Sequence, residues 1–212
     1  SIYSLIQKNS NDLIDKVFIT ASGGPFLNSS FKKLKNIKKN EALKHPNWKM
    51  GKKISIDSST MMNKVFEVIE AKKLFNLKYK DILILTHPKS YVHAIVKFKN
   101  SLTKILIHEP DMKIPIYNSL YLTSRLKLKT KKLDLKILNN LELKNVNYKK
   151  FPLVKILNQL VEKDSLYETI LVTVNDYFVM KYLDDKISYN QMINQIYKYS
   201  KYKEFLKYRN LA

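Results

Sequence analysis

The stretch that decides the fold is GKKISIDSSTMMNKVFEVIE, residues 51–70, which follows HPNWKM at residues 45–50 and ASGGPF at residues 21–26. The chain has three glycines and one tryptophan, and all four lie between Gly23 and Gly51. The remaining sequence is rich in lysine, isoleucine, leucine, asparagine and tyrosine, so overall composition does not explain this clustering. A local structural or chemical requirement is the better explanation.

The sequence pattern from about Ser59 to Phe75 predicts an amphipathic helix, because apolar side chains recur at helical spacing along one face. The apolar positions are Met61, Met62, Val65, Phe66, Val68 and Ile69, and the polar positions are Thr60, Asn63, Lys64, Glu67 and Glu70. Asp57 or Ser58 is expected to cap this helix. The free N–H groups and positive dipole end of such an N-terminus suit a phosphate group.

The polar face of this helix carries side chains with matching chemistry. Ser58, Asn63 and Lys64 would add a hydroxyl, an amide and an ammonium donor to the anion site. Glu67 lies one turn beyond Asn63. Its ionised carboxylate accepts hydrogen bonds but donates none, so it suits a cation or a hydroxyl. The sequence therefore predicts an anion site with a metal ligand about one turn away. The alternative is an ordinary solvent-exposed face, since Lys64 and Glu67 form a common i, i+3 pair.

The pattern of strands and helices predicts an α/β (α+β) catalytic domain with a mixed sheet, followed by a small all-α C-terminal helical bundle. The predicted strands are residues 16–20, 53–56, 82–85, 92–98 and 102–107, and the predicted late helices are residues 153–160, 167–183 and 189–206. The expected domains are an N-terminally incomplete catalytic domain at 1–121, an extended linker at 122–147 and a helical domain at 148–212.

Charge and composition narrow the function classes. The net charge of +21 comes from 39 basic and 18 acidic residues. Only Arg125 and Arg209 are arginines, whereas nucleic-acid interfaces rely heavily on arginine. Without cysteine the chain forms no disulfide or zinc-thiolate site, which favours the cytoplasm. No apolar run approaches the ~20 residues of a membrane span, so we expect neither nucleic acid nor membrane as a partner.

Five ordered elements carry a resemblance to a known family: ASGGPF, HPNWKMGKKISIDSSTMMNK, the glutamate Glu67, HPKSYVHAIV and EPDMKIPI. Together they resemble the 1-deoxy-D-xylulose-5-phosphate reductoisomerases, over essentially the whole chain and most strongly over residues 22–115. The resemblance implies an enzyme that depends on NADPH and on Mg²⁺ or Mn²⁺ and makes 2-C-methyl-D-erythritol 4-phosphate for non-mevalonate isoprenoid biosynthesis. It also implies a homodimer.

The resemblance assigns roles to individual residues. The residues that would hold the substrate phosphate are Ser22, Ser58, Asn63 and Lys64. His45 would lie over the substrate backbone, and Glu67 would be one of three carboxylate ligands to the metal ion. His45, Lys64 and Glu67 would be the catalytic residues. Trp48 would belong to a substrate-covering flap, with Met50 and Gly51 near the nicotinamide and Gly51 as the pliable end of the flap.

The chain also departs from the family pattern. Family members carry an N-terminal dinucleotide-binding domain and an Asp-Ser-Glu segment with two further metal ligands, which we expect upstream of Ser1. Three glycines in this arrangement make no G-x-G-x-x-G fingerprint. We therefore expect the 212-residue chain to be inactive alone. The alternative functions are a lysine-rich nucleic-acid-binding module or a truncated scaffold protein.

Overall fold

A five-stranded mixed sheet forms the centre of the computed structural model, which describes residues 1–6, 13–48, 50–121, 128–130 and 134–210. The strands are β1 (Ile14–Ala21), β2 (Ile82–Thr86), β3 (Val92–Phe98), β4 (Thr103–Ile107) and β5 (Lys144–Asn145), in the order β4-β3-β1-β2-β5. With the helices described below, this sheet confirms the predicted fold class.

The central strand β1 is parallel to β2, with Val17 opposite Ile82, and antiparallel to β3, with Val17 opposite Val96. β3 and β4 are antiparallel, as are β2 and β5. Parallel neighbours need a long crossover connection, and the chain between β1 and β2 supplies it. That crossover carries the helices that border the candidate site.

Ten α-helices are assigned within the described residues. They are α1 (Ile2–Ile6), α2 (Phe31–Leu34), α3 (Lys39–Ala42), α4 (Lys52–Thr60), α5 (Met62–Phe75), α6 (Lys113–Leu120), α7 (Leu135–Leu138), α8 (Tyr167–Leu183), α9 (Tyr189–Tyr199) and α10 (Lys203–Leu206). Short 3₁₀ helices occur at Gly24–Phe26, Tyr79–Asp81, Pro152–Gln159 and Lys207–Asn210. No described helix combines the length and apolarity needed to cross a bilayer.

Two predictions about the start of the central helix were wrong. Residues 53–56 lie in helix α4 and not in a strand, and Met61, not Asp57 or Ser58, is the N-cap of α5. A four-residue alternation of apolar and polar residues is too short to distinguish a strand from a buried helix. Met61 ends α4 and precedes α5 in the left-handed conformation, with φ 61°.

Helix α5 packs into two hydrophobic clusters at once. Val68 of α5, together with Met61 just before the helix, belongs to the cluster beneath the sheet, which also contains β1 and β3 side chains. Met62, Val65 and Ile69 belong to the cluster shared with α8 and α9. The apolar face predicted from the sequence is therefore confirmed, and its breadth follows from burial on two sides.

The C-terminal helices agree with the sequence patterns with two changes. α8 has the predicted bounds, whereas the first predicted helix is the 3₁₀ helix Pro152–Gln159. The predicted 189–206 helix is divided into α9 and α10. The domain division stays a prediction, and residues 122–127, 131–133 and 211–212 of its linker and helical domain lie outside the described residues.

A buried carboxylate joins α4 to the C-terminal helices. Asp57 is 3% exposed; its Oδ1 accepts from Asn175 Nδ2 at 2.8 Å, and its Oδ2 lies 2.7 Å from Lys53 Nζ. Lys53 Nζ also lies 2.7 Å from Asp176 Oδ1. Burial raises the pKa of Asp57, while the bonds from Asn175 and Lys53 oppose that rise. We call these four residues the α4–α8 clamp; they fix the helix that borders the cleft.

Candidate active site

A cleft of about 650 Å³ opens beside the carboxyl end of β1, residues 45–48 and 50–51, and the junction of α4 with α5. It brings together every residue that the sequence singled out: Ser22, His45, Trp48, Met50, Gly51, Ser58, Asn63, Lys64 and Glu67. Segments far apart in the chain thus contribute to one concave surface, the usual form of a small-molecule site.

His45 is held in one tautomer by the backbone that follows it. Its Nδ1 lies 3.1 Å from the backbone N of Asn47 and 3.0 Å from that of Trp48. Both amides donate, so Nδ1 is unprotonated and the hydrogen of the neutral ring is on Nε2. Burial first, and then the charge of Lys64, lowers the pKa of His45, which favours this neutral form.

The Nε2–H of His45 donates to Ser22 Oγ at 3.0 Å. Ser22 Oγ also accepts from the backbone N–H of Gly24 at 3.3 Å. A hydroxyl has two acceptor positions and one donor. With both acceptor positions used, the hydroxyl hydrogen of Ser22 is left to donate into the cleft, which suits an anionic ligand.

Asn47 ties the segment of His45 and Trp48 to the β2–β3 loop. Its Nδ2 donates to the carbonyl of Pro88 at 3.0 Å and lies 2.7 Å from Ser90 Oγ. Asn47 was not predicted as a site residue, although it stands inside the HPNWKM motif. Its partners lie 41 and 43 residues along the chain, so local sequence spacing carried no signal for this anchor.

Lys64 and Glu67 form a close ion pair on α5. Lys64 Nζ lies 2.8 Å from both carboxylate oxygens of Glu67. The Lys64 side chain is 16% exposed and that of Glu67 39%. A lysine so little exposed does not fit the alternative of an ordinary solvent-facing pair. Both residues line the cleft, and the Glu67 side chain is the more exposed of the two.

The described residues do not by themselves make a metal site. Among them, no group of three or more histidine, aspartate or glutamate side chains is placed to hold an ion. Mg²⁺ demands an octahedral set of oxygen ligands, usually with one or two carboxylates and several waters. Glu67 offers one carboxylate, and Lys64 already neutralises it.

The Ser-Gly-Gly loop lies directly on the α4–α5 junction. Gly24 has φ +60°, and a Cβ there would stand 2.8 Å from the carbonyl oxygen of Ser58. Ser58 itself is in the last turns of α4, whereas Asn63 and Lys64 are in the first turn of α5. The predicted N-cap role of Ser58 was therefore wrong, but the start of α5 still borders the cleft.

Replacing Gly24 by alanine is expected to lower the free energy of unfolding by about 2 kcal/mol or more, through left-handed strain and backbone overlap. Gly51→Ser is the matched control, because a Cβ at Gly51 meets nothing within 4 Å and serine is a favourable N-cap. Urea denaturation of both variants would measure the difference. Equal unfolding midpoints for the two variants would contradict the close approach of loop and junction.

His93 and Met112 also line the cleft. His93 lies on β3, and Met112 immediately precedes α6. Both belong to motifs quoted from the sequence, HPKSYVHAIV and EPDMKIPI, but neither was predicted as a site residue. A histidine on an alternating strand gives no indication of which face it occupies relative to a cleft.

Comparisons with known proteins agree with this architecture. The family model described as 1-deoxy-D-xylulose 5-phosphate reductoisomerase C-terminal domain matches residues 1–75, and the DXP reductoisomerase C-terminal domain model matches residues 107–211. The 1-deoxy-D-xylulose 5-phosphate reductoisomerase of Pelagibacter ubique is 55% identical over 211 residues, covering 100% of this chain and 54% of the relative. That of Persephonella marina is 38% identical, covering 91% and 52%.

Solved structures give the same result. A crystal structure of DOX-P reductoisomerase with NADPH, fosmidomycin and magnesium has a TM-score of 0.85 and 34% identity, covering 98% of this chain and 53% of that one. The Zymomonas mobilis enzyme with NADPH has a TM-score of 0.84 and 27% identity, covering 99% and 56%. The chain spans about half the length of the curated relatives it matches. With both C-terminal domain models matched, the chain belongs to the 1-deoxy-D-xylulose 5-phosphate reductoisomerase family.

Proposed function

We propose that this chain supplies the substrate-binding cleft of an NADPH- and divalent-metal-dependent reductoisomerase that converts 1-deoxy-D-xylulose 5-phosphate into 2-C-methyl-D-erythritol 4-phosphate. The observation that carries the proposal is the cleft itself, which joins Ser22, His45, Asn63, Lys64 and Glu67 in a chain of this family. No observation favours the nucleic-acid-binding module or the truncated scaffold.

The hydrogen-bond donors that line the cleft fit a phosphate ester. Ser22 has a free hydroxyl hydrogen, Asn63 adds an amide, Ser58 a hydroxyl and Lys64 an ammonium with three N–H donors. Charge-assisted hydrogen bonds to phosphate are about twice as strong as neutral ones. Lys64 can keep one bond to Glu67 and direct its other donors to the phosphate. Binding energy from this remote group would position the reacting carbons.

His45 would orient the substrate while holding Ser22. Because its Nδ1 is occupied by two backbone amides, the ring cannot turn without breaking both bonds. Its Nε2–H therefore stays directed at Ser22 Oγ, while the residue lines the cleft. In this role His45 contacts the substrate and keeps the Ser22 hydroxyl aimed at the phosphate.

Apolar side chains in the lining of the cleft fit the roles of flap and nicotinamide contact. They are Trp48, Met50 and Met112, with Gly51 at the start of α4. Closure of such a segment would exclude water from the reacting groups. NADPH would supply the hydride for reduction and the metal ion a Lewis acid. The described residues complete neither the NADPH site nor the metal site, and for the metal Glu67 is a single carboxylate. We therefore expect no turnover from this chain alone.

A homodimer in the cytoplasm is part of this proposal. In the described sheet β4 is an edge strand with Ile105 exposed on it and Leu102 exposed just before it, and Ile116 and Leu120 are exposed in α6. Apolar surface of this kind suits association with a second copy. The absence of cysteine fits a reducing compartment.

The proposal is tested by titrating the ¹⁵N-labelled chain with 1-deoxy-D-xylulose 5-phosphate and following backbone amide shifts by NMR. We expect saturable shifts concentrated at Ser22, Asn63 and Lys64, and none from 1-deoxy-D-xylulose without phosphate at the same concentrations. Equal responses to both sugars, or shifts located away from the cleft, would refute the proposed cleft. Adding NADPH and Mg²⁺ is expected to give no turnover, and measurable NADPH oxidation would refute that expectation.

A further inference from the structure

Two histidines form a stacked pair at the side of the cleft. The ring centroids of His93 and His108 are 3.5 Å apart, and the ring planes differ by 10°. His93 lies on β3 and lines the cleft, whereas His108 directly follows β4 and is not among the lining residues. His108 therefore forms the support behind a side chain that ligands can reach.

The hydrogen bonds of the pair define the tautomer of each neutral ring. Nε2 of His93 lies 3.1 Å from the carbonyl oxygen of His108, and Nδ1 of His108 lies 2.6 Å from that of Glu109. A carbonyl only accepts, so these two nitrogens carry the hydrogens. Nε2 of His108 is buried without a partner among the described residues. Among the described residues no hydrogen bond engages Nδ1 of His93, and the residue lines the cleft.

The surroundings disfavour a second proton on either ring. Burial, and next a charge on His108, lowers the pKa of His93 to about 4. Lys64 on α5 acts in the same direction, and the bond to the His108 carbonyl opposes it. Burial also lowers the pKa of His108, with Asp111 acting in the opposite direction. Two cations in rings 3.5 Å apart would repel strongly.

We propose that His108 is a positioning residue that holds His93 in its neutral Nε2–H form, so that Nδ1 accepts a hydrogen bond from a substrate hydroxyl. This inference rests on the proposed function for the identity of the ligand. An unprotonated ring nitrogen accepts from a hydroxyl but repels an acceptor-only group such as a carboxylate. With donors at Ser22 and Lys64, the cleft would select a phosphate ester that also carries a hydroxyl.

The side chain of His108, and not its backbone, is the part under test. Any residue at this position supplies the carbonyl that accepts from His93, but only a flat ring fills the space against the His93 imidazole. Removing the ring would admit water to the buried side of His93 and let it rotate. A phenyl ring keeps the stack without a second titratable group, so His108→Phe is the matched control for His108→Ala.

The test is long-range ¹H–¹⁵N NMR of the histidine side chains in the full chain, which has four histidines. In the wild type we expect His93 as the Nε2–H tautomer, unprotonated down to about pH 5. His108→Ala is expected to raise the pKa of His93 towards its ordinary value of 6.5 and to mix the tautomers. His108→Phe is expected to keep the wild-type tautomer.

Ordinary titration of His93 in the wild type, or an unchanged tautomer and pKa in His108→Ala, would overturn the inference. If His108→Ala does not fold, loss of the Nε2–H tautomer in His108→Phe would also overturn it. Affinity for 1-deoxy-D-xylulose 5-phosphate should fall about fivefold in His108→Ala, the effect of one net hydrogen bond, with inorganic phosphate unaffected. If the wild type bound neither ligand, the proposed function would fail, while the NMR result would still decide the role of His108.

Discussion

Replacing Lys64 by glutamine is expected to weaken the binding of 1-deoxy-D-xylulose 5-phosphate by about 10- to 150-fold, the range for one charge-assisted hydrogen bond. Of the described residues, two lysines line the cleft, and they differ in their partners. Lys53 lies 2.7 Å from both Asp57 and Asp176, whereas the ion-pair partner of Lys64 among the described residues is Glu67. Of these two lysines, Lys64 is therefore the one available to an anionic ligand.

Lys52→Gln is the matched control for this prediction. Lys52 is exposed at the start of α4, close to the cleft but outside its lining, so it reports the general effect of removing one positive charge. Isothermal titration calorimetry at fixed ionic strength would compare the two variants. An equal loss in both, or a change of less than about twofold in Lys64→Gln, would contradict a phosphate contact at Lys64.

The Lys64–Glu67 ion pair predicts that a substitution of Glu67 changes the affinity for the phosphate ester in the opposite direction. Without added divalent metal, Glu67 competes with the ligand phosphate for the ammonium of Lys64. Glu67→Gln should then raise the affinity for the phosphate ester by a few-fold, because an amide competes less strongly than a carboxylate. A drop in affinity would instead indicate that the pair is needed to hold Lys64 in place.

The sequence predicted those helices and strands whose pattern of apolar residues lies within a single segment. α5 has a long apolar face, and α8 and β3 have their predicted bounds. The division between α4 and α5 had no such signal, because Met61 is not a residue that favours positive φ. Its conformation is enforced by burial of Met61 and by contact of Gly24 with the Ser58 backbone. Tertiary packing overrides local preference there.

In the candidate site, too, some features could be predicted from local sequence and others depend on tertiary packing. The family motifs predicted which residues gather, and the cleft brings them together; their catalytic roles stay predictions. The α4–α8 clamp joins Asp57 to Asn175 across 118 residues, and His93 meets His108 through the pairing of β3 with β4. Such contacts follow from strand register and helix packing, which no single segment of the sequence specifies.

The free energy of unfolding is expected to fall as the pH is lowered from about 7.5 to about 5.5. All four histidines in the sequence have lowered pKa values in the folded chain, with burial as the first cause in each. The folded chain therefore keeps them neutral while the unfolded chain takes up protons below about pH 6.5. Stability is highest above that pH and is lost towards the folded pKa values, which for His93 is about 4.

His93 alone should account for about 1.4 kcal/mol of this loss at pH 5.5, since each pKa unit corresponds to about 1.4 kcal/mol. Asp57 acts in the opposite direction, because its raised pKa makes the folded carboxyl the better proton acceptor as acid is added. Urea denaturation of the wild type and of His93→Gln at both pH values would separate the contribution of His93 from the contributions of the other titrating groups. The variant should lose about 1.4 kcal/mol less than the wild type between the two pH values. An equal pH dependence would mean that His93 is protonated as readily in the folded chain as in the unfolded one. The ring would then be a cation in the cleft, and a phosphate ester would meet a second positive charge there instead of a hydroxyl acceptor.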